Sequence, residues 1–135
     1  MKVAFFAVLL LVSAANAQEN LVATDAVQDA PSTKKFWGRE NKVNFSLFAA
    51  ELTADAITTQ RGLSYGMREA NPLARPLVSR GAAGEAAASA LGFGCSLGTA
   101  YVLHRTHHYK AERIAVRLML AVEGAVVAQN VAGLR

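Results

Sequence analysis

A single cysteine, Cys95, rules out any disulfide within the chain. Its place inside an apolar run fits a small buried hydrophobe. Charge is scarce as well. Only 18% of the 135 residues are charged, against 53% hydrophobic, and the mean hydropathy is +0.23. That balance excludes a disordered chain and is high for an ordinary soluble domain. Catalytic patterns are missing: there is no H-E-x-x-H, no G-x-S-x-G and no phosphate loop. Ser46, Ser64, Ser79, Ser89 and Ser96 have no base at a telling spacing. The sequence therefore predicts neither an enzyme nor a bound cofactor.

The net charge is +4 and the pI about 9.6. No basic-aromatic face or nucleic-acid motif accompanies that charge. The Lys and Arg residues instead cluster at the ends of apolar runs, where lipid headgroups would meet them.

The first seventeen residues have the grammar of a bacterial signal peptide. Lys2 opens it, Val3 to Val12 is an apolar run too short to span, and Ala15-Asn16-Ala17 offers small residues to a peptidase. Cleavage after Ala17 would make Gln18 the mature N-terminus. The stretch 18–42 is polar, holds Pro31-Ser32-Thr33 and lacks periodicity, so it reads as a flexible tether. It closes on Phe36 and Trp37 among Lys34, Lys35, Arg39 and Lys42, an interfacial composition.

The remainder, 43–135, predicts an all-α membrane domain. Spanning helices are expected at about 43–62, 85–104 and 111–134, each near the length that crosses a bilayer core. The middle one is Ala- and Gly-rich with no charge beyond Glu85 at its start, where an acid suits the helix dipole. It holds Gly94 and Gly98 in G-x-x-x-G spacing, a device for close helix approach to a helix of the same chain or of a second copy. The outer two carry acids that cost roughly 2.5–3.5 kcal/mol each at a helix centre on insertion scales. They would enter lipid only as a packed group. The alternative is a soluble periplasmic three-helix bundle, but the middle helix has no polar face to show to water.

Between the first two helices, Gly62 and Gly66 suit a chain leaving a helix. Asn71 then suits an N-cap and Pro72 a first helical position, predicting a short interfacial helix from Pro72 to about Ser79. Leu73, Leu77 and Val78 would press inward, leaving Arg68, Arg75 and Arg80 for headgroups. The run Asp55, Thr58-Thr59, Gly62 and Gly66-Met67-Arg68-Glu69-Ala70-Asn71-Pro72-Leu73 resembles the DUF5658 family of small bacterial membrane proteins, whose function is not known. The resemblance covers roughly a quarter of the chain, 47–78. It implies a membrane location and a helical fold, and no reaction. A Lys expected at the entry of the family's next helix is replaced here by Glu85 as the nearest charge.

A cleaved signal puts the tether outside the cytoplasm, in the inner membrane, with the first and third helices both running inward. The basic residues on the outside, Lys34, Lys35, Arg39, Lys42, Arg105, Lys110 and Arg113, run against the positive-inside rule. With two helices running the same way, equal depths set Glu51 against Arg117 and Asp55 against Glu123. Two carboxylates close together in low dielectric do not both ionise, which is how a proton relay or cation site begins. The structural reading is that Glu51, Asp55, Thr58, Thr59, Arg117, Glu123 and Asn130 hydrogen-bond to one another and fix helix packing. Arg117 and Glu123 lie roughly 120° apart around their helix, so the residues cannot all share one compact cluster. His104, His107 and His108 match no metal-ligand spacing and stand among cations, so they read as a solvated interfacial loop. Export predicts a mature chain whose N-terminal sequencing begins at Gln18; recovery of Met1 or Lys2 would overturn the cleavage.

Overall fold

A computed structural model describes residues 35–69, 72 and 74–134. The expected signal peptide and the expected tether up to Lys34, together with Ala70, Asn71, Leu73 and Arg135, lie outside the described residues. The rest is helical: α1 (Arg39–Ser64), α2 (Arg75–Val78), α3 (Ala82–Arg105) and α4 (Tyr109–Gly133). No strand occurs among the described residues. Three long helices and one short one match the expected order; the first two long helices reach beyond their expected bounds at both ends, and the third starts two residues early and ends one residue short.

The helix ends follow local chemistry. α1 stops at Tyr65 because Gly66 takes φ 84°. The Met67 N–H then bonds to the Gly62 carbonyl at 3.1 Å and the Gly66 N–H to that of Leu63 at 3.0 Å, a Schellman closure. Met67 folds its side chain over Gly62, where any Cβ would run into it. Gly62 therefore belongs to α1 and makes room for the residue that seals it. α3 ends in the same way at His107, which adopts φ 64°. The His108 N–H reaches the Leu103 carbonyl at 2.9 Å and the His107 N–H that of His104 at 3.0 Å.

Two expectations are corrected here. The stretch 35–42 is not tether. Phe36 and Asn41 are buried, and α1 begins at Arg39 because these side chains have partners on α3 and α4. The short helix begins at Arg75, with Ala74 as its N-cap and Pro76 in its first turn, in place of a start at Pro72. Arg75 does not face headgroups. Its Nε and Nη2 donate to the Glu69 carbonyl at 3.1 and 2.9 Å, tying the link to the start of α2.

α3 and α4 form an antiparallel hairpin on which α1 lies, parallel to α4. Asn41 meets Glu112 and Asp55 meets Asn130, while Phe36 meets His104 and Gln60 meets Glu85. The apolar core is concentrated in the half of the bundle nearer the α3–α4 turn. Phe45 and Phe48 clasp Phe93 at ring-centroid distances of 5.9 and 6.0 Å, with Ala100 and Val116 closing the cluster. At the opposite end Val78 is fully buried and α2 crosses the first turn of α3. A Cβ at Gly84 would overlap the Leu77 carbonyl there, so only glycine lets the two helices meet. Gly94 and Gly98 have open space around them.

This contrast sets a packing test. Gly84→Ala should lower stability by about 1–3 kcal/mol through overpacking against backbone. Gly94→Ala meets no neighbour and should raise the unfolding midpoint slightly, since alanine favours a helix interior by about 0.5–1 kcal/mol. Thermal unfolding followed by circular dichroism reads both.

Candidate functional site

The polar residues fall on one seam. Glu112, Glu123 and Asn130 are spaced by eleven and seven residues, which at 100° per residue keeps them within about 20° of one another on α4. On α1, Asn41 and Asp55 are fourteen residues apart and within about 40°. The two stripes face each other, and each end of the seam is closed by an amide bonded to a carboxylate across the interface.

At the far end from the α3–α4 turn, Asn130 Nδ2 lies 2.8 Å from Asp55 Oδ1, 3.3 Å from Thr58 Oγ1 and 3.2 Å from Thr59 Oγ1. Thr59 donates in turn to Asp55 Oδ1 at 3.3 Å, and Thr58 to the Ala54 carbonyl at 2.9 Å. Asp55 is only 4% exposed. Thr58, Thr59 and Asn130 also line a cavity of about 110 Å³ with Gln129, Arg68 and Glu69. Of the expected residues, Asp55, Thr58, Thr59 and Asn130 are thus brought together. Glu123 stands seven residues before Asn130 on the same face. Glu51 packs against Gly124, whose absent side chain leaves room for its Oε1. Its buried Oε2 has no hydrogen-bond partner among the described residues. Arg117 turns outward and bonds to Glu40 Oε1 at 3.1 Å.

Near the α3–α4 turn, Asn41 Nδ2 donates to Glu112 Oε1 at 2.6 Å and to the Phe36 carbonyl at 2.9 Å. His104 Nδ1 approaches Glu112 Oε2 at 2.8 Å. Glu112 is 4% exposed, and both its oxygens are engaged. This corrects the reading of the histidines as one solvated loop. His107 and His108 are exposed, but His104 is folded inward between the Phe36 and Tyr109 rings at 5.4 and 5.1 Å. Asn41 and Glu112 were missed. Each stands in a run of charged neighbours that reads as a solvated end. Only the eighteen-residue spacing of Glu112 and Asn130, five whole turns, marks them as one face.

A cavity of about 340 Å³ opens beside this cluster, lined among others by Lys35, Arg39, Asn41, His104, Glu112 and Arg113. No group of three or more His, Cys, Asp or Glu among the described residues is placed to hold a metal ion. No known family's profile matches the chain, and no curated protein or solved structure is significantly similar to it.

The cross-helix amides should matter more than the surface ion pair. Asn41→Ala or Asn130→Ala leaves a buried carboxylate short of a donor and should cost about 1–3 kcal/mol. Arg117→Gln removes a pair whose side chains are 69% and 50% exposed, and should shift stability by less than about 1 kcal/mol. Unfolding in detergent, compared across the three variants, ranks them.

Proposed function

We propose that the chain is a small integral membrane protein of three spanning helices with a structural or accessory role. In this reading it is delivered by its signal peptide to the inner membrane. The observation that carries it is the bareness of the two most apolar helices. α3 and α4 are each long and apolar enough to cross a bilayer, yet only 17% and 11% of their most apolar stretches are buried within the protein. Leu91, Tyr101, Val102, Ile114, Leu118 and Val131 all point outward. A soluble bundle would have to cover that surface, so its bareness supports lipid over water as the surrounding medium.

α1 is not apolar enough to qualify alone. It carries outward-facing Val43, Leu47 and Ile57, and its two buried polar side chains, Asn41 and Asp55, are turned to the other helices. Asp55 takes its bond from Asn130, and Asn41 gives one to Glu112. With those groups satisfied by protein, the helix can follow the hairpin into the bilayer. The resemblance of the stretch from Asp55 to Leu73 to DUF5658 proteins favours the same location and adds no reaction.

A second reading, handling of a proton or small cation at Asp55, is favoured by one feature. Three of the residues that touch Asp55 or its partners also border the 110 Å³ cavity at that end. Intramembrane acids beside a polar cavity are the usual start of such a pathway.

Tagged protein should remain in the pellet after carbonate washing of membranes; a freely soluble monomer would overturn the membrane reading. Asp55→Asn separates the two roles. A purely structural protein should accumulate to near its normal level and keep its cellular effect. An ion-handling one should also accumulate but lose every ion- or proton-dependent effect.

A further inference from the structure

We propose that the 340 Å³ cavity beside the α3–α4 turn receives the phosphate of an anionic phospholipid headgroup. The inference rests on the membrane reading above. Its position follows from the fold. The cavity lies where α3 ends at Arg105 and α4 begins at Tyr109, so it sits at the ends of the two membrane-length helices. That is the depth of the headgroups. The surroundings agree: Trp37 and Tyr101, each about half exposed, stack edge-on against Phe36 at 5.0 and 5.4 Å, as interfacial aromatics do.

The wall is cationic and comes from two separate parts of the chain. Lys35 and Arg39 enter from the start of α1, and Arg113 from the first turns of α4. All three are exposed. The two acids lining the same cavity are drawn elsewhere. Glu112 is buried, with one oxygen accepting from Asn41 and the other against His104. Glu40 is bonded to Arg117. The charge left facing the cavity is therefore positive, and Arg guanidinium groups suit phosphate oxygens in pairs. The space is more than ten times the roughly 30 Å³ of one liquid water, enough for a phosphate with its glycerol. Basic pockets between helices at a membrane surface are the known setting for such headgroups. The hydrogen-bonded Asn41–Glu112–His104 cluster lines the same cavity and ties the start of α1 to α4.

The chain carries its own reporter, because Trp37 is its only tryptophan and adjoins the cavity-lining Phe36 and Gly38. The full chain, purified in a zwitterionic detergent, is reconstituted into phosphatidylcholine nanodiscs with increasing phosphatidylglycerol. Trp37 emission should change saturably with phosphatidylglycerol and weaken with added KCl. The combined Lys35→Gln, Arg39→Gln and Arg113→Gln variant should bind that lipid roughly a hundredfold more weakly and so fail to saturate. Arg80→Gln, at the opposite end, should respond as the parent does. Arg39→Lys with Arg113→Lys keeps the charge and should retain most of the response, which guards against misfolding of the neutral variant. Equal response to phosphatidylcholine alone, a neutral variant that is folded by circular dichroism yet responds normally, or saturation by inorganic phosphate in place of lipid would each overturn the proposal. Failure of the protein to enter nanodiscs of either lipid would overturn the membrane reading with it. Entry without headgroup preference would sink only the lipid site.

Discussion

Everything in this bundle depends on one seam, the face along which α1 lies against α4. α1 carries Asn41, Glu51 and Asp55, groups that an apolar medium would not accept bare. Two amide–carboxylate contacts meet most of that demand. They are mirror images in chemistry: at one end α1 supplies the amide and α4 the acid, and at the other the roles reverse. Neither helix can withdraw without leaving a buried carboxylate short of a donor. The α3–α4 hairpin needs no such arrangement, since its helices are joined by a short turn.

Between those two ends the seam changes character. The half near the α3–α4 turn is filled by the rings of Phe36, Phe45, Phe48 and Phe93, and the far half is held by Asp55, Thr58, Thr59 and Asn130. In the proposed lipid setting, apolar side chains would gain little by leaving hydrocarbon for protein, so the rings would contribute through close packing. Directional hydrogen bonds then determine which way round and how far along α1 docks. Glycine serves this geometry at particular places. Gly62 accepts Met67 at the end of α1, Gly84 lets α2 touch α3, and Gly124 leaves space for Glu51.

The two cavities sit at opposite ends of the same seam and differ in charge. One is bordered by Thr58, Thr59, Gln129 and Asn130 with one cation and one acid, Arg68 and Glu69, the other by Lys35, Arg39 and Arg113 with Glu40 over a buried Glu112. A headgroup held at the cationic end would contact the start of α1 and the start of α4 together. It would thus reinforce the joint that the Asn41–Glu112 contact already makes, which fits a protein whose main problem is keeping α1 in place.

Much of this was legible in the residues alone. The three long helices, the glycines that close α1 and the company of Asp55 with the two threonines all follow from local spacing. So does the face each polar residue occupies, because the 3.6-residue period fixes direction around a helix. What the period cannot fix is axial position between helices that are not neighbours in the chain. α1 and α4 are separated by a link and by α3, and the pairing offset grows from 71 residues at Asn41–Glu112 to 75 at Asp55–Asn130. Counting depth from expected helix starts therefore set Glu51 against Arg117, where the fold lays Glu51 beside Gly124 and sends Arg117 to Glu40. The sequence by itself determined which elements form and which faces are polar. Only the tertiary structure decided the register, since ring packing at one end and hydrogen-bond geometry at the other act across the bundle. That register is also what drew His104 and Glu112 inward, out of a stretch that reads as solvated.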